Sequence, residues 1–465
     1  MIMQQIGVMG MAVMGKNLAL NIKNKGYSVS VFNITRKETD EVAKKYADED
    51  LLPTYSWIEF VESLERPHKI IMMIKAGDPV DKTIDHLKPL LDKGDILIDG
   101  GNSLYQDTNR RYYDLQLVGI HYIGLGVSGG ELGALHGPSM MPGGDKSAYQ
   151  QVAPILEKVA ARTPEGIPCI AYIGPEGSGH YVKMVHNGIE YGIMQLICEI
   201  YDIMRKAGGL DNAVIADVFD EWNRGILRAY LIEITGKILR HKDAETGKDM
   251  VDVILNQASY KGTGNWMLED AIRLGAPISV IAEAVFARFM SDRVLDGPVP
   301  AADITTSSGT NLAPMLGQTL YLVQAVSYAQ GFQQLKLASD AYDWKLDFSS
   351  IARVWEAGCI IRSKTLVDIR RAFEANANLT NVFQATYFQK MIKDNITEFR
   401  KAVRIASDYG IPTSALSAAL SYLESLFNTT LPANLLQAQR DYFGAHTFKR
   451  VDNPGIFHTE WYTEA

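Results

Sequence analysis

Short apolar runs alternate with stretches of helical periodicity along the first 175 or so residues. The runs predict strands at 5–8, 29–33, 69–74, 96–99 and 121–124, with a further one near 169–173. Strands separated by amphipathic helices are the pattern of βαβ units feeding a parallel sheet. From Gly177 onward the texture changes to long helical periodicities, beginning with an uninterrupted stretch over 180–206, so a domain boundary is expected at 175–179.

The helical part carries an internal echo. Trp222, Gly225, Arg228 and the run 231–234 resemble Trp355, Gly358, Arg362 and the run 366–369, which suggests the duplication of a helical unit, with a chance match as the alternative. After Ala433 the helical pattern is expected to end in a tail rich in aromatics: Tyr442, Phe443, Phe448, Phe457, Trp461 and Tyr462. Such a tail must be covered, by its own domain or by a second subunit.

A length of 465 residues is too great for one ordinary core. The formal net charge of −8 argues against a general nucleic-acid surface, so any anionic ligand must meet local positive charge. Cys169, Cys198 and Cys359 show neither disulfide nor zinc spacing, which fits a reducing compartment, and no metal site is expected. No basic n-region marks a signal peptide, and no apolar run approaches a membrane span; a cytoplasmic location is the expectation.

Between the first strand and first helix lies Gly10-Met11-Ala12-Val13-Met14-Gly15, a GxAxxG form of the dinucleotide-binding fingerprint. The first glycine permits the tight turn and the last permits the helix over 17–25 to pack closely on the strand, so its N-terminal N–H groups face a pyrophosphate. The expected fold is therefore an α/β N-terminal Rossmann-type domain over 1–176, a large all-α domain over 177–434, and a C-terminal tail over 435–465. The second strand ends in Asn33-Ile34-Thr35-Arg36-Lys37, without the carboxylate that would hold a ribose 2′-hydroxyl. Its amide and cations suit a 2′-phosphate, which favours NADP over NAD, with solvated loop charges as the alternative.

The most informative segment starts at His180. Lys183, His186, Asn187, Glu190 and Tyr191 recur at helical spacing, so one face carries a base, an acid and amide groups while Val182, Met184, Val185 and Ile189 supply apolar positions. A buried lysine could act as general base: lowering it from about 10.4 toward 7 corresponds to roughly 4 kcal/mol between its protonation states, which burial supplies. A carboxyl group one or two turns on would then be free to donate a proton. A solvated ion pair between Lys183 and Glu190, and a satisfied core histidine at 186, remain the alternatives.

At these residues the chain resembles the decarboxylating 6-phosphogluconate dehydrogenases over nearly its whole length. GMAVMGKNLALN (10–21) looks like the family's cofactor loop, DILIDGGNSLYQDTNRR (95–111) like its signature and GVSGGELGALHGPSMMPGG (126–144) like its substrate loop. HYVKMVHNGIEYGIMQLICE (180–199), YKGTGNW (260–266), VFARF (285–289) and QAQRDYFGAHTF (437–448) complete the set.

The resemblance implies 6-phosphogluconate as substrate, with ribulose 5-phosphate, carbon dioxide and NADPH as products, in the oxidative branch of the pentose phosphate pathway. It assigns Lys183 as general base and then acid, and Glu190 as the acid that protonates the enediol, with no metal. Asn102, Ser128, Gly129, Gly130, His186, Asn187 and Tyr191 would contact the sugar acid. Its phosphate end would meet Lys261, Thr263 and Arg288, together with the partner subunit's Arg440 and the partner subunit's His446 in a homodimer. Gly10, Ala12, Val13, Met14, Gly15, Asn33, Thr35, Arg36, Ile74, Lys75, Ala76 and Asn102 would line the cofactor.

Three departures stand out. Ile34 replaces an arginine common among NADP-using members, which leaves NAD open as a cofactor. Ser259-Tyr260 replaces Gly-Gln before Lys261, and Asn265 replaces a frequent lysine. The connection over 290–303 also looks short. The alternatives are another β-hydroxyacid dehydrogenase of hydroxyisobutyrate type, or a non-catalytic dinucleotide-binding protein.

Overall fold

A computed structural model describes residues 3–259, 262–293 and 312–462. Its N-terminal part runs β1 (Ile6–Met9), α1 (Val13–Asn24), β2 (Val29–Phe32), α2 (Arg36–Tyr46), β3 (Leu51–Pro53), α3 (Trp57–Glu62), β4 (Lys69–Met72), α4 (Asp78–Leu87), β5 (Ile96–Asp99), α5 (Tyr105–Gln116), β6 (His121–Ser128), α6 (Gly130–His136), β7 (Ser139–Gly144) and α7 (Lys146–Val159). The strands form one sheet in the order β3-β2-β1-β4-β5-β6-β7, parallel except for β7, which pairs antiparallel with β6. Helices cover both faces, and β1, β2, β5 and β7 are buried along their whole lengths, as strands of a doubly covered sheet must be. The order reverses between β1 and β4, so the loops after these strands part there and leave a crevice for a ligand.

The strand expected near 169–173 is absent. This segment lies beside β7 through Met140 N to Cys169 O (3.0 Å) and Ile173 N to Pro142 O (2.8 Å), but the only bridge joins Met140 to Ile170. Pro142 has no N–H to donate midway along that edge, which interrupts a regular ladder. The sheet's last strand is instead Ser139–Gly144, unforeseen because its glycines and proline read as loop. The short β3, ending at Pro53, was also unforeseen.

The helical part continues with α8 (Ser178–Lys206), α9 (Asn212–Arg224), α10 (Tyr230–Arg240), α11 (Met250–Val253), α12 (Thr263–Leu274), α13 (Ser279–Ser291), α14 (Ala313–Ala341), α15 (Phe348–Val354), α16 (Lys364–Ala375), α17 (Thr386–Asp408), α18 (Ser414–Phe427) and α19 (Ala433–Gly444). Helices α8, α9, α10 and α13, starting at 178, 212, 230 and 279, are echoed in order by α14, α15, α16 and α18, starting at 313, 348, 364 and 414. Residues 229 and 363, within the two segments that echo in sequence, form an antiparallel bridge with each other.

The expectation that the helical pattern ends at Ala433 is corrected by α19. Its Leu435, Leu436 and Phe443 are exposed, so no buried face imposes a periodicity that could be read. No helix among the described residues is long and apolar enough to cross a membrane.

Candidate active site

The glycine loop after β1 is shaped by contact with its neighbours. Gly10 holds φ at +90°, and a Cβ there would lie 2.4 Å from Met73 O; a Cβ on Gly15 would lie 1.8 Å from Gly10 O. Only glycine lets strand, loop and helix approach this closely. Ala12 occupies the N-cap of α1 and offers no side-chain cap, which leaves first-turn N–H groups of Val13 and Met14 to face an anion. Asn33 Oδ1 accepts from Met11 N at 2.9 Å and ties the end of β2 to this loop. Asn33 Nδ2 in turn donates to Thr35 O at 3.0 Å. Arg36 begins α2 with its guanidinium 4.6 Å from the centroid of Tyr55 and 3.6 Å from Asp40, while the Ile34 side chain is 69% exposed.

Across the crevice, Ile74, Lys75, Ala76, Gly77, Asn102, Leu104, Asp107, Thr263 and Trp266 line a cavity of about 660 Å³. The loop bearing Asn102 is fixed by Asp99: its Oδ1 accepts from Gly101 N (3.0 Å), and its Oδ2 from Ser103 Oγ (2.6 Å) and Tyr122 Oη (3.1 Å). The loop bearing Gly77 is held by the buried Arg111, which donates from Nη2 to Gly77 O (3.1 Å) and from Nε to Asp81 Oδ1 (2.9 Å). The 95–111 signature is thus largely scaffolding that presents Asn102.

The second cavity, about 440 Å³, is lined by Asn102, Ser128, Gly129, Gly130, Lys183, Asn187, Glu190, Tyr191, Thr263 and Arg288, all expected from sequence, and by Met14, Val127, Met194, Ser259 and Ile360. Asn102 and Thr263 line both cavities and so mark where the two adjoin.

The approach of α8 to the sheet explains how its N-terminal turns enter this site. A Cβ on Gly126 would lie 2.5 Å from Lys183 Cβ, one on Gly143 2.3 Å from Gly179 N, and one on Gly179 2.3 Å from Met141 O. Bare backbone on β6 and β7 lets α8 rest directly on the sheet, with His180 bonded to Thr108 Oγ1 (2.7 Å) and Asp99 O (3.0 Å).

Lys183 is only 6% exposed, and its Nζ donates to Asn187 Oδ1 at 2.7 Å. Burial pushes its pKa down, opposed by the nearby Glu190 and by Cys359. His186 Nδ1 lies 3.3 Å from Lys183 Nζ and 3.9 Å from Glu190 Oε2, so the imidazole sits beside both the amine and the carboxyl. Burial and the adjacent amine hold this histidine well below its ordinary pKa, hence neutral. An amine donating toward Nδ1 leaves Nε2 to donate to Ser128 Oγ, 3.0 Å away. Glu190, with 23% of its side chain exposed, is raised by burial and lowered in part by Lys183 and Arg288. Arg288 stacks 3.4 Å from the Tyr191 ring centroid, a fixed cation in the wall of the same cavity.

Lys261 and most of 290–303 lie outside the described residues. Arg440, on α19, and His446, just after it, do not line either cavity within this chain. Val127, Met194 and Ile360 escaped the sequence reading because an apolar lining residue looks like any core position.

A dinucleotide cradle at the switch point of a parallel sheet, faced by an amine whose pKa burial lowers and a carboxyl group on one buried helix, defines a two-domain dinucleotide-dependent dehydrogenase. The family model for the NAD binding domain of 6-phosphogluconate dehydrogenase matches residues 5–174, and that for the 6-phosphogluconate dehydrogenase C-terminal domain matches residues 179–461. The chain belongs to the 6-phosphogluconate dehydrogenase family. The decarboxylating 6-phosphogluconate dehydrogenase of Klebsiella pneumoniae is 52% identical over 98% of this chain and 99% of its own length. The Bacillus subtilis relative, named NADP(+)-dependent and decarboxylating, is 50% identical over the same shares of the two chains. Plasmodium falciparum 6-phosphogluconate dehydrogenase, solved in its apo form, with NADP+ and with 6-phosphogluconate, has a TM-score of 0.92 at 42% identity and covers 98% of this chain and 100% of its own.

Proposed function

We propose that this chain oxidises and decarboxylates 6-phosphogluconate to ribulose 5-phosphate and carbon dioxide with reduction of NADP, in the oxidative branch of the pentose phosphate pathway in the cytoplasm. The observation that carries the reading is the buried Lys183 amine, bonded to Asn187 and set with Glu190 and Arg288 in the wall of one cavity.

The residues present fit the cofactor: Gly10 and Gly15 let the loop close against Met73 and α1, and Ala12 at the N-cap offers no side chain to occupy the first-turn N–H groups. Gly10, Ala12, Val13, Met14 and Gly15 would hold the pyrophosphate, Asn33, Thr35 and Arg36 the ribose end, and Ile74, Lys75, Ala76 and Asn102 the nicotinamide end. When bound, NADP supplies the hydride acceptor. Ile34 contributes no charge, so Arg36 carries the preference over NAD.

Lys183, whose pKa burial lowers, acts in its amine form and takes the proton from the hydroxyl β to the carboxylate as that carbon is oxidised. Its ammonium then donates to the new ketone oxygen, which accepts the electron pair released when carbon dioxide leaves. Glu190, whose pKa burial raises, delivers a proton to the enediol carbon while Lys183 takes back the proton from the enol oxygen, which completes the ketose. Ser128, Gly129, Gly130, His186, Asn187 and Tyr191 orient the sugar acid. Arg288, with Thr263 and Lys261, neutralises its phosphate, helped by the partner subunit's Arg440 and the partner subunit's His446 in a homodimer. Support for the dimer comes from Leu435, Leu436 and Phe443, which α19 leaves exposed. The repeated order of helices supports descent of the all-α domain from a duplicated unit.

Initial rates with 6-phosphogluconate and either NADP or NAD at matched concentrations test the reading. NADPH formation that releases carbon dioxide is expected. Faster oxidation of 3-hydroxyisobutyrate, or tight NADPH binding without turnover, would overturn it.

A further inference from the structure

Beneath the cofactor cavity, four hydrogen-bonding groups converge on one buried carboxylate. Asp270, 4% exposed, lies one turn beyond Trp266 on α12. Its Oδ1 accepts from Tyr105 Oη (2.9 Å), Tyr342 Oη (3.2 Å) and Arg273 Nε (3.1 Å), and its Oδ2 from Tyr181 Oη. Tyr105 opens α5 of the sheet domain, directly after the cavity-lining Leu104. Tyr181 precedes Lys183 by two residues on α8, and its ring meets that of Tyr105 edge-on at 4.9 Å. Tyr342 ends α14. Every element tied to Asp270, apart from α14, also carries a residue of the two cavities: Leu104 and Asp107 at the start of α5, Lys183 on α8, and Thr263 and Trp266 on α12.

We propose that Asp270 is a positioning residue of the reaction: its carboxylate clamps α5 of the sheet domain to α8 and α12 of the helical domain and so sets the width of the cofactor cleft. This rests on the NADP reading above. Asp270 touches neither cavity and acts through Trp266 and Leu104, which form walls of the larger one. The clamp bears mainly on the cofactor because Trp266, Leu104 and Asp107 line only the larger cavity, whereas most of the smaller one is built from β6, the loop after it and α8, where Gly126 and Lys183 hold strand and helix in direct contact. A carboxylate collecting several donors is hard to replace, since an amide accepts on one atom only and turns its N–H₂ toward a hydroxyl that was donating.

The test is direct binding, with Asp270→Asn and the milder Tyr342→Phe, which removes one donor at the half-buried edge of the cluster. NADPH affinity is read from its fluorescence, 6-phosphogluconate affinity from calorimetry, and kcat and KM for each from initial rates. Asp270→Asn is expected to weaken NADPH about tenfold and to raise the NADP KM alike, with 6-phosphogluconate binding changed less than about twofold; Tyr342→Phe should act the same way about threefold. A lowered melting temperature with NADPH affinity unchanged in both variants would overturn the proposal, as would equal weakening of both ligands. If Asp270→Asn does not fold, Tyr342→Phe alone decides. Wild-type chain that fails to bind NADPH would strike down the cofactor reading, and this proposal with it.

Discussion

Helices α8 and α14 each span 29 residues, open corresponding runs of helices and pack against each other in the core, yet they bury different polar groups. Those of α14 are neutral, and two of its glutamines tie it to neighbouring helices. Gln330 Oε1 accepts from Val280 N (3.1 Å) at the start of α13 while its Nε2 donates to Ser279 Oγ (3.1 Å), and Gln334 Nε2 donates to Met267 O (3.0 Å). The N-terminal half of α8 instead carries the buried Lys183 and His186 and the partly exposed Glu190, all ionisable and all displaced from their ordinary pKa values by desolvation. Two of these three face a cavity. Buried amides hold helices together; buried ionisable groups beside an opening are held ready for proton transfer.

The sharpest break of the comparison is Lys183→Met, which makes this stretch of α8 resemble the neutral interior of α14. Turnover is expected to fall by about a thousandfold or more, with 6-phosphogluconate binding retained by calorimetry. Next, Glu190→Gln is expected to cost about a hundredfold in kcat and to change the pH profile. In the wild type the base must be neutral and the acid protonated. Rates therefore rise with pH as Lys183 loses its proton and fall as Glu190 loses its own, the two shifts drawing the limbs toward each other; the variant should lose the falling limb. Gly126→Ala sets a methyl group 2.5 Å from Lys183 Cβ and should lower kcat about tenfold without comparable change in cofactor binding. Gln330→Leu leaves Val280 N–H without its acceptor, so about 1–3 kcal/mol of stability should be lost in denaturant titration while kcat and KM stay as they were.

The same contrast explains what the sequence disclosed. Gly10 and Gly15 were legible because their chemistry requires glycine at fixed spacing, and the α8 stripe because Lys183, His186 and Glu190 break an apolar face. Ser139–Gly144 was not, since a strand built so that α8 can lie on its glycines lacks side-chain alternation. Nor was α19, whose exposed leucines answer to no partner within the chain. Ile360 and Val127 look like ordinary core positions until the fold turns them toward Lys183. Gly126 and Gly179 were visible in the sequence, but their purpose appears only when strand and helix meet.

Single-turnover NADPH formation separates the two α8 groups most directly. If Lys183 acts in oxidation and Glu190 only afterwards, Glu190→Gln will form NADPH in one fast turnover at near the wild-type rate and then stall, whereas Lys183→Met will show no such burst. Equal loss of the first turnover in both variants would contradict the division of labour assigned to them.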